Sequence, residues 1–239
     1  MIRIICPQDP TIRCVERQAR RLDRRLGGMS KIYVVKPNDK SKFDCHQKIK
    51  SWSEDDIIIF MGHGRSDALF GSRGRNFNAM GHDSGFEVDN PEDYYNDENF
   101  INKSNYVLLK GKSIVCFACE TNLLAKKLID AGAKSVLGFG KMPTSVEEFK
   151  SDWKLPYINK KMIAFMNGVL NVSFRDAMIK AVNMGGEIVD IAIYFKMEMR
   201  RQISLLLYSK AKYRYDIADV LYKILYSVDV IGDKRTKIL

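Results

Sequence analysis

The sequence predicts an α/β fold, a mostly parallel sheet covered by helices on both faces, followed by a purely helical C-terminal part. Two observations carry this. Five short apolar runs, at 2–6, 31–36, 55–61, 112–119 and 135–140, alternate with helical or loop segments. Near-continuous apolar strands separated in this way are the mark of a parallel sheet buried on both sides. From residue 145 onward, apolar residues recur at spacings of three and four, the period of helices.

Taken in order, "IRIIC" (2–6) reads as a strand closed by Pro7, and Asp9-Pro10 opens a helix that Gly27-Gly28 stops near Leu26. "KIYVVK" (31–36) is a second strand, and a short helix over about 41–52 leads to the third, Asp55 to Met61. A polar stretch, 62 to about 111, carries Gly71, Gly74, Gly81 and Gly85 and the acidic run "EVDNPEDYYNDENF". Connections of that length tend to be functional, and the part over 65–111 reads as a gate, ordered or cut on activation. "KSIVCFAC" (112–119) is the fourth strand, "TNLLAKKLIDAGA" a helix ending at Gly132, and "SVLGFG" (135–140) the fifth strand.

Composition narrows the class. With 239 residues, 46% of them hydrophobic and 28% charged, the chain has material for one large core. No apolar run approaches the roughly 18 residues of a membrane span, and "MIRIICPQDP" is too short in apolar residues for a signal peptide. Five cysteines at irregular spacing make no disulfide framework, so a reduced, cytoplasmic protein is expected. The net charge of +10 is uneven: residues 1–50 carry 13 Lys and Arg against 5 Asp and Glu, and residues 51–100 carry 3 against 11. The series Arg13, Arg17, Arg20, Arg21, Arg24, Arg25 is a candidate nucleic-acid surface, though a solvated helix face explains it as well.

Chemistry concentrates at two strand ends. In open parallel sheets, ligands sit beyond the carboxyl ends of the strands. Gly62-His63-Gly64 follows the third strand and Cys119 stands at the end of the fourth. Strands lie about 4.8 Å apart, so imidazole and thiol are expected to face one crevice. A thiol with a pKa near 8.5 is only a few per cent thiolate at neutral pH; a nearby imidazole can take its proton and return it to a leaving amine. Gly62 is expected to permit the bend that turns the ring inward, and Gly64 to leave a backbone N–H approachable.

An apolar strand ending in Gly-His-Gly and a later one ending in Ala-Cys resemble the caspase-like (clan CD) cysteine peptidases. Their Ala-Cys signature has its histidine about 50 residues upstream; here the separation is 56. The "VLGFG" strand and "FMNGVLNVSFRDAMIKAV" (165–182) make the chain similar to the bacterial CHAT-type branch. The resemblance implies a three-layer caspase-like sandwich over residues 1–182, with 183–239 as a helical C-terminal extension packed on or next to it. It implies His63 as general base and acid, Cys119 as nucleophile, and an oxyanion hole made by the N–H groups of Gly64 and Cys119. It further implies a cysteine endopeptidase acting on a protein substrate, needing no cofactor, controlled by a regulatory partner or activator, and working in a bacterial stress or antiviral defence system.

Glu120 follows Cys119, where the branch more often has a small or polar residue, and it would raise the pKa of a nearby thiol. Phe117 stands where clostripain-like members carry an aspartate, so a basic preference would have to come from elsewhere. Carboxylates for a substrate Arg or Lys are expected from Glu147, Glu148 and Asp152, or from the insert with Asp83, Glu87, Asp89, Glu92, Asp93, Asp97 and Glu98.

Other readings compete. Cys116-x-x-Cys119 is formally a zinc or redox motif, but no second ligand pair accompanies it, and residues i and i+3 on a strand point to opposite faces. Gly62-x-Gly64 lacks the third glycine of a dinucleotide fingerprint. His46 and His82 read as surface residues. A catalytically inactive adaptor of the same fold, docking through its C-terminal helices, is the alternative from another functional class.

Overall fold

In the computed structural model, residues 1–77, 90–142, 146, 149–150, 153, 155 and 157–239 are described. The strands are β1 (Ile2–Pro7), β2 (Ser30–Val35), β3 (Ile57–Met61), the short β4 (Gly64–Arg65) and β5 (Ala68–Leu69), β6 (Ser113–Phe117), β7 (Ser135–Gly138) and β8 (Asp229–Gly232). The long helices are α1 (Arg13–Leu26), α2 (Asp39–Ser51), α3 (Thr121–Asp130), α4 (Lys160–Asn183), α5 (Ile188–Tyr208) and α6 (Arg214–Ser227).

Six strands form one sheet in the order β2-β1-β3-β6-β7-β8. The first five are parallel, and β8 pairs antiparallel with β7. Period-two alternation sends side chains to two separate cores. On one face Ile2, Ile4, Ile57, Ile59, Val115 and Leu137 meet α1, α4, α5 and α6. On the other, Ile5, Ile58, Phe60, Ile114 and Val136 meet α2 and α3. The result is the expected three-layer α/β sandwich with a helical C-terminal part.

The ends of the elements differ from expectation in ways that shape the site. The helix expected from Asp9-Pro10 begins as a short 3-10 turn over Pro10–Ile12, because the Asp9 side chain accepts from Thr11 N; the α-helix starts at Arg13. Strand β6 stops at Phe117, two residues early, where Ala118 N turns back to donate to the Cys116 carbonyl at 2.9 Å. Cys119 therefore stands off the strand.

The polar stretch after β3 is docked rather than free-standing over its described parts. Leu69 exchanges both backbone bonds with Ile101, and buried Asp97 receives Lys42 Nζ of α2 at 2.8 Å. The C-terminal segment is not helical to its end. Past α6 it adds β8 to the sheet, Ile188 N donates to the Thr236 carbonyl at 2.9 Å, and Ile238 is fully buried. Residues 183–239 thus share the core of the α1 face and extend the sheet.

Candidate active site

Register brings the two strand ends level. Met61 lies beside Phe117 in the β3–β6 ladder, and Gly62 N donates to the Phe117 carbonyl at 3.3 Å. His63 and Cys119 each stand two residues past that rung. Both line one small cavity of about 60 Å³, together with Thr11, Cys14, Met142 and Asn171.

The flanking glycines are there for space, not for backbone conformation. Neither has a positive φ. A Cβ on Gly62 would press on the Phe60 ring at 3.0 Å, and one on Gly64 would meet the Ala118 Cβ and the Cys119 carbonyl at 3.1 Å. The expected bend at Gly62 thus reduces to close packing, and Gly64 lets β4 approach the Cys119 backbone. Leu69, the register partner of Gly64, exchanges its bonds with Ile101 instead, so the Gly64 N–H is not a ladder donor to Leu69.

The imidazole is held on one side by Asp9 and Thr11. Asp9, 3% exposed, accepts from Thr11 N at 2.7 Å and from Thr11 Oγ1 at 2.6 Å, both through Oδ1. Thr11 Oγ1 also lies 2.9 Å from His63 Nε2. A hydroxyl has one proton, and here it goes to the carboxylate, so His63 Nε2–H must be the donor to Thr11. That assigns the Nε2–H tautomer and leaves Nδ1 with its lone pair as the basic nitrogen. Asp9 Oδ2 lies 3.6 Å from His63 Nε2 and 3.8 Å from Arg73 Nε, facing both without a hydrogen bond among the described residues. Burial lowers the pKa of His63; Asp9 opposes this, and Arg73 adds to the lowering. The ring is therefore neutral near pH 7, the form a general base requires.

Cys119 donates Sγ–H to the Met142 carbonyl at 3.4 Å. Glu120 has a left-handed backbone (φ 55°), uncommon for a residue with a side chain. Its N–H is committed to the Gly140 carbonyl at 3.1 Å, and its carboxylate faces Lys141 Nζ at 3.7 Å. The carboxylate that the sequence sets against the thiol thus has a cation beside it.

Cys116 is fully buried in the core under α2 and α3, whereas Cys119 packs against the opposite core. Burial pushes the Cys116 thiol upward and those of Cys6 and Cys45 to about 12, which makes them inert beside any exposed thiol. His46 is not a surface residue: its Nε2 lies 2.9 Å from the Phe100 carbonyl and its ring packs 4.8 Å from that of Phe100. Its pKa is lowered, by burial first.

Of the candidate substrate-binding residues, Glu147, Glu148 and Asp152 lie outside the described residues, as do His82, Asp83, Glu87 and Asp89. Within the acidic insert, Asp97 is paired with Lys42, and Glu98 lies 3.4 Å from Arg73 Nη2. Asp9, Thr11 and Arg73 were missed as site residues in the sequence. Asp9-Pro10 looks like an ordinary helix start, and only its position at the end of β1, next to β3 in the sheet, gives it another role.

An α/β sandwich with an imidazole and a thiol on one cavity at the carboxyl ends of adjacent strands is the class that fold and site define. Among known proteins, no family model, no curated sequence and no solved structure matches the chain.

Proposed function

We propose that this protein is a cysteine endopeptidase that cleaves a partner protein at a specific site. The supporting observation is the shared cavity of His63 and Cys119, with a tautomer that puts the basic lone pair on Nδ1. In this reading Nδ1 takes the Cys119 proton, and the thiolate attacks the scissile carbonyl carbon. The carbonyl π pair moves onto oxygen, where the N–H groups of Gly64 and Cys119 would stabilise the oxyanion. Collapse of the tetrahedral adduct breaks the C–N bond as the imidazolium returns its proton to the leaving amine. Water, deprotonated by the same nitrogen, then hydrolyses the thioester and restores the thiol.

The resemblance to caspase-like, CHAT-type peptidases on "GHG" and "AC" points the same way and suggests switching by a regulatory partner in a bacterial defence setting. The experiment is alkylation by limiting iodoacetamide, followed by peptide mapping. Cys119 should label at least about ten times faster than Cys14, and His63→Ala should remove the difference. Equal labelling of the two would favour the inactive adaptor instead.

A further inference from the structure

The six arginines of α1 stand together on its solvent side. Ala19, Leu22 and Leu26 bury the opposite side in the core under the sheet. Every exposed position of the helix is an arginine: Arg13, Arg17, Arg20, Arg21, Arg24 and Arg25. At about 3.6 residues per turn, Arg13, Arg17, Arg20 and Arg24 form one straight row, with Arg21 and Arg25 beside it, along a helix of about 20 Å.

Helix stability does not account for this row. Arg13 and Arg17, Arg17 and Arg21, Arg20 and Arg24, and Arg21 and Arg25 are like charges four residues apart, which destabilise a helix. Two acids within α1 offset them: Glu16 pairs with Arg20 at 2.8 Å, and Asp23 accepts from Ser30 Oγ at 2.8 Å. The macrodipole favours Arg24 and Arg25 in the last turn but disfavours Arg13 in the first. A face kept only for solubility would mix both signs and use lysine. Lysine outnumbers arginine in the chain by 24 to 15, yet α1 has none.

We propose that this face of α1 binds the phosphate backbone of a nucleic acid without reading its sequence. The inference is independent of the peptidase reading. Guanidinium forks meet phosphate oxygens two bonds at a time, which an ammonium does not. Cations at steps of about 6 Å along one line suit a ligand that repeats its charge along a line. A membrane-surface helix would set apolar side chains among its basic ones, and a protein interface would have an apolar or aromatic centre. The exposed positions of α1 offer neither. They offer no aromatic platform for bases either, so the contacts stay on the backbone. Glu92 and Asp93 border the recess at Arg13 and Arg17, and the decisive variants are therefore at the far end, Arg21, Arg24 and Arg25.

The probe is a fluorescein-labelled RNA of about 20 nucleotides, alone or annealed to its complement, titrated with the full chain and read by fluorescence anisotropy. At about 50 mM salt at least one form should bind with a Kd of about 10 μM or lower, weakening as salt rises. The triple variant Arg21→Gln, Arg24→Gln, Arg25→Gln should weaken binding at least about tenfold and flatten the slope of log K against log[salt] by about 2 to 3. The triple Arg200→Gln, Arg201→Gln, Lys210→Gln removes as much charge from exposed positions of another surface and should change Kd less than about twofold. All six side chains are exposed, so both triples keep the far-UV circular dichroism of the parent. No saturable binding would overturn the proposal, and so would equal weakening by the two triples, which net charge alone explains. Poly-glutamate, or vesicles with about 30% phosphatidylserine, binding as tightly as RNA at equal charge and losing as much in the α1 triple, would replace the nucleic acid by an acidic protein or a membrane.

Discussion

Thr11 carries more of the argument than its size suggests, because its single hydroxyl proton decides which nitrogen of His63 is basic. With that proton on Asp9 Oδ1, the Nε2–H of His63 points to Thr11 and Nδ1 keeps its lone pair. Asp9 and Arg73 then pull the imidazole in opposite directions. Asp9→Asn removes the influence that raises the His63 pKa, so the acid limb of the rate of Cys119 alkylation should move to lower pH. Arg73→Gln removes a lowering influence and should move it to higher pH. Shifts of the same sign in both variants would contradict this arrangement. On the peptidase reading, Cys119→Ala should abolish peptide cleavage, and His63→Ala should lower it by about a thousandfold or more while the far-UV circular dichroism is retained.

The motif "VLGFG" finds its reason in the meeting of elements. Phe139 N donates to Thr121 Oγ1 at 3.0 Å, Asn122 N to the Phe139 carbonyl at 2.9 Å, and Glu120 N to the Gly140 carbonyl at 3.1 Å. The turn after Cys119 is thus stitched to the end of β7. A Cβ on Gly138 would overlap the Thr121 carbonyl, and one on Gly140 would overlap Ser227 of α6. Gly138→Ala should cost about 1–3 kcal/mol in urea unfolding, as overpacking does, and should slow Cys119 labelling as well, since α3 must shift. Beneath the site, Phe117 stacks on Phe174 of α4 at 4.4 Å and meets Phe139 edge-on at 5.1 Å. Phe174 is fully buried, so Phe174→Ala should destabilise by about 3–5 kcal/mol.

Across the whole molecule, stability should follow the histidines on the acid side of neutrality. The folded-state pKa values of His46 and His63 are both lowered, by burial first, while unfolded histidine titrates near pH 6.5. Below about that pH the unfolded chain binds more protons than the folded one, so stability is lost as pH falls and is flat above it as far as these groups are concerned. Asp56, held down by the N-terminal amine and Arg3 against a burial that would raise it, adds its own loss only in the more acidic carboxylate range. The urea midpoint should therefore be lower at pH 5.5 than at pH 7.5; an equal or higher midpoint would contradict buried neutral rings. The C-terminal strand is as much a part of the sheet as β1. Deleting residues 229–239 bares the β7 edge and removes Ile238 from the core, and should give an aggregating chain without a cooperative transition in thermal unfolding.

Local pattern by itself determined the order of the five parallel strands and the three long helices among them up to residue 140, though not the short β4 and β5, and it determined the two-sided burial of those strands and the pairing of "GHG" with "AC" as candidate site residues. These depend on period and composition within short windows, which the chain displays directly. Only tertiary structure decided that Asp9 and Thr11 lie against His63, that Cys14 of α1 and Asn171 of α4 line the cavity of His63 and Cys119, and that β8 returns to the sheet. Those contacts join residues far apart in order, and sequence patterns carry no information about which distant side chain supplies a missing hydrogen bond. His46 follows the same rule: an unremarkable position in its own helix, half-buried because Phe100, 54 residues away, folds over it.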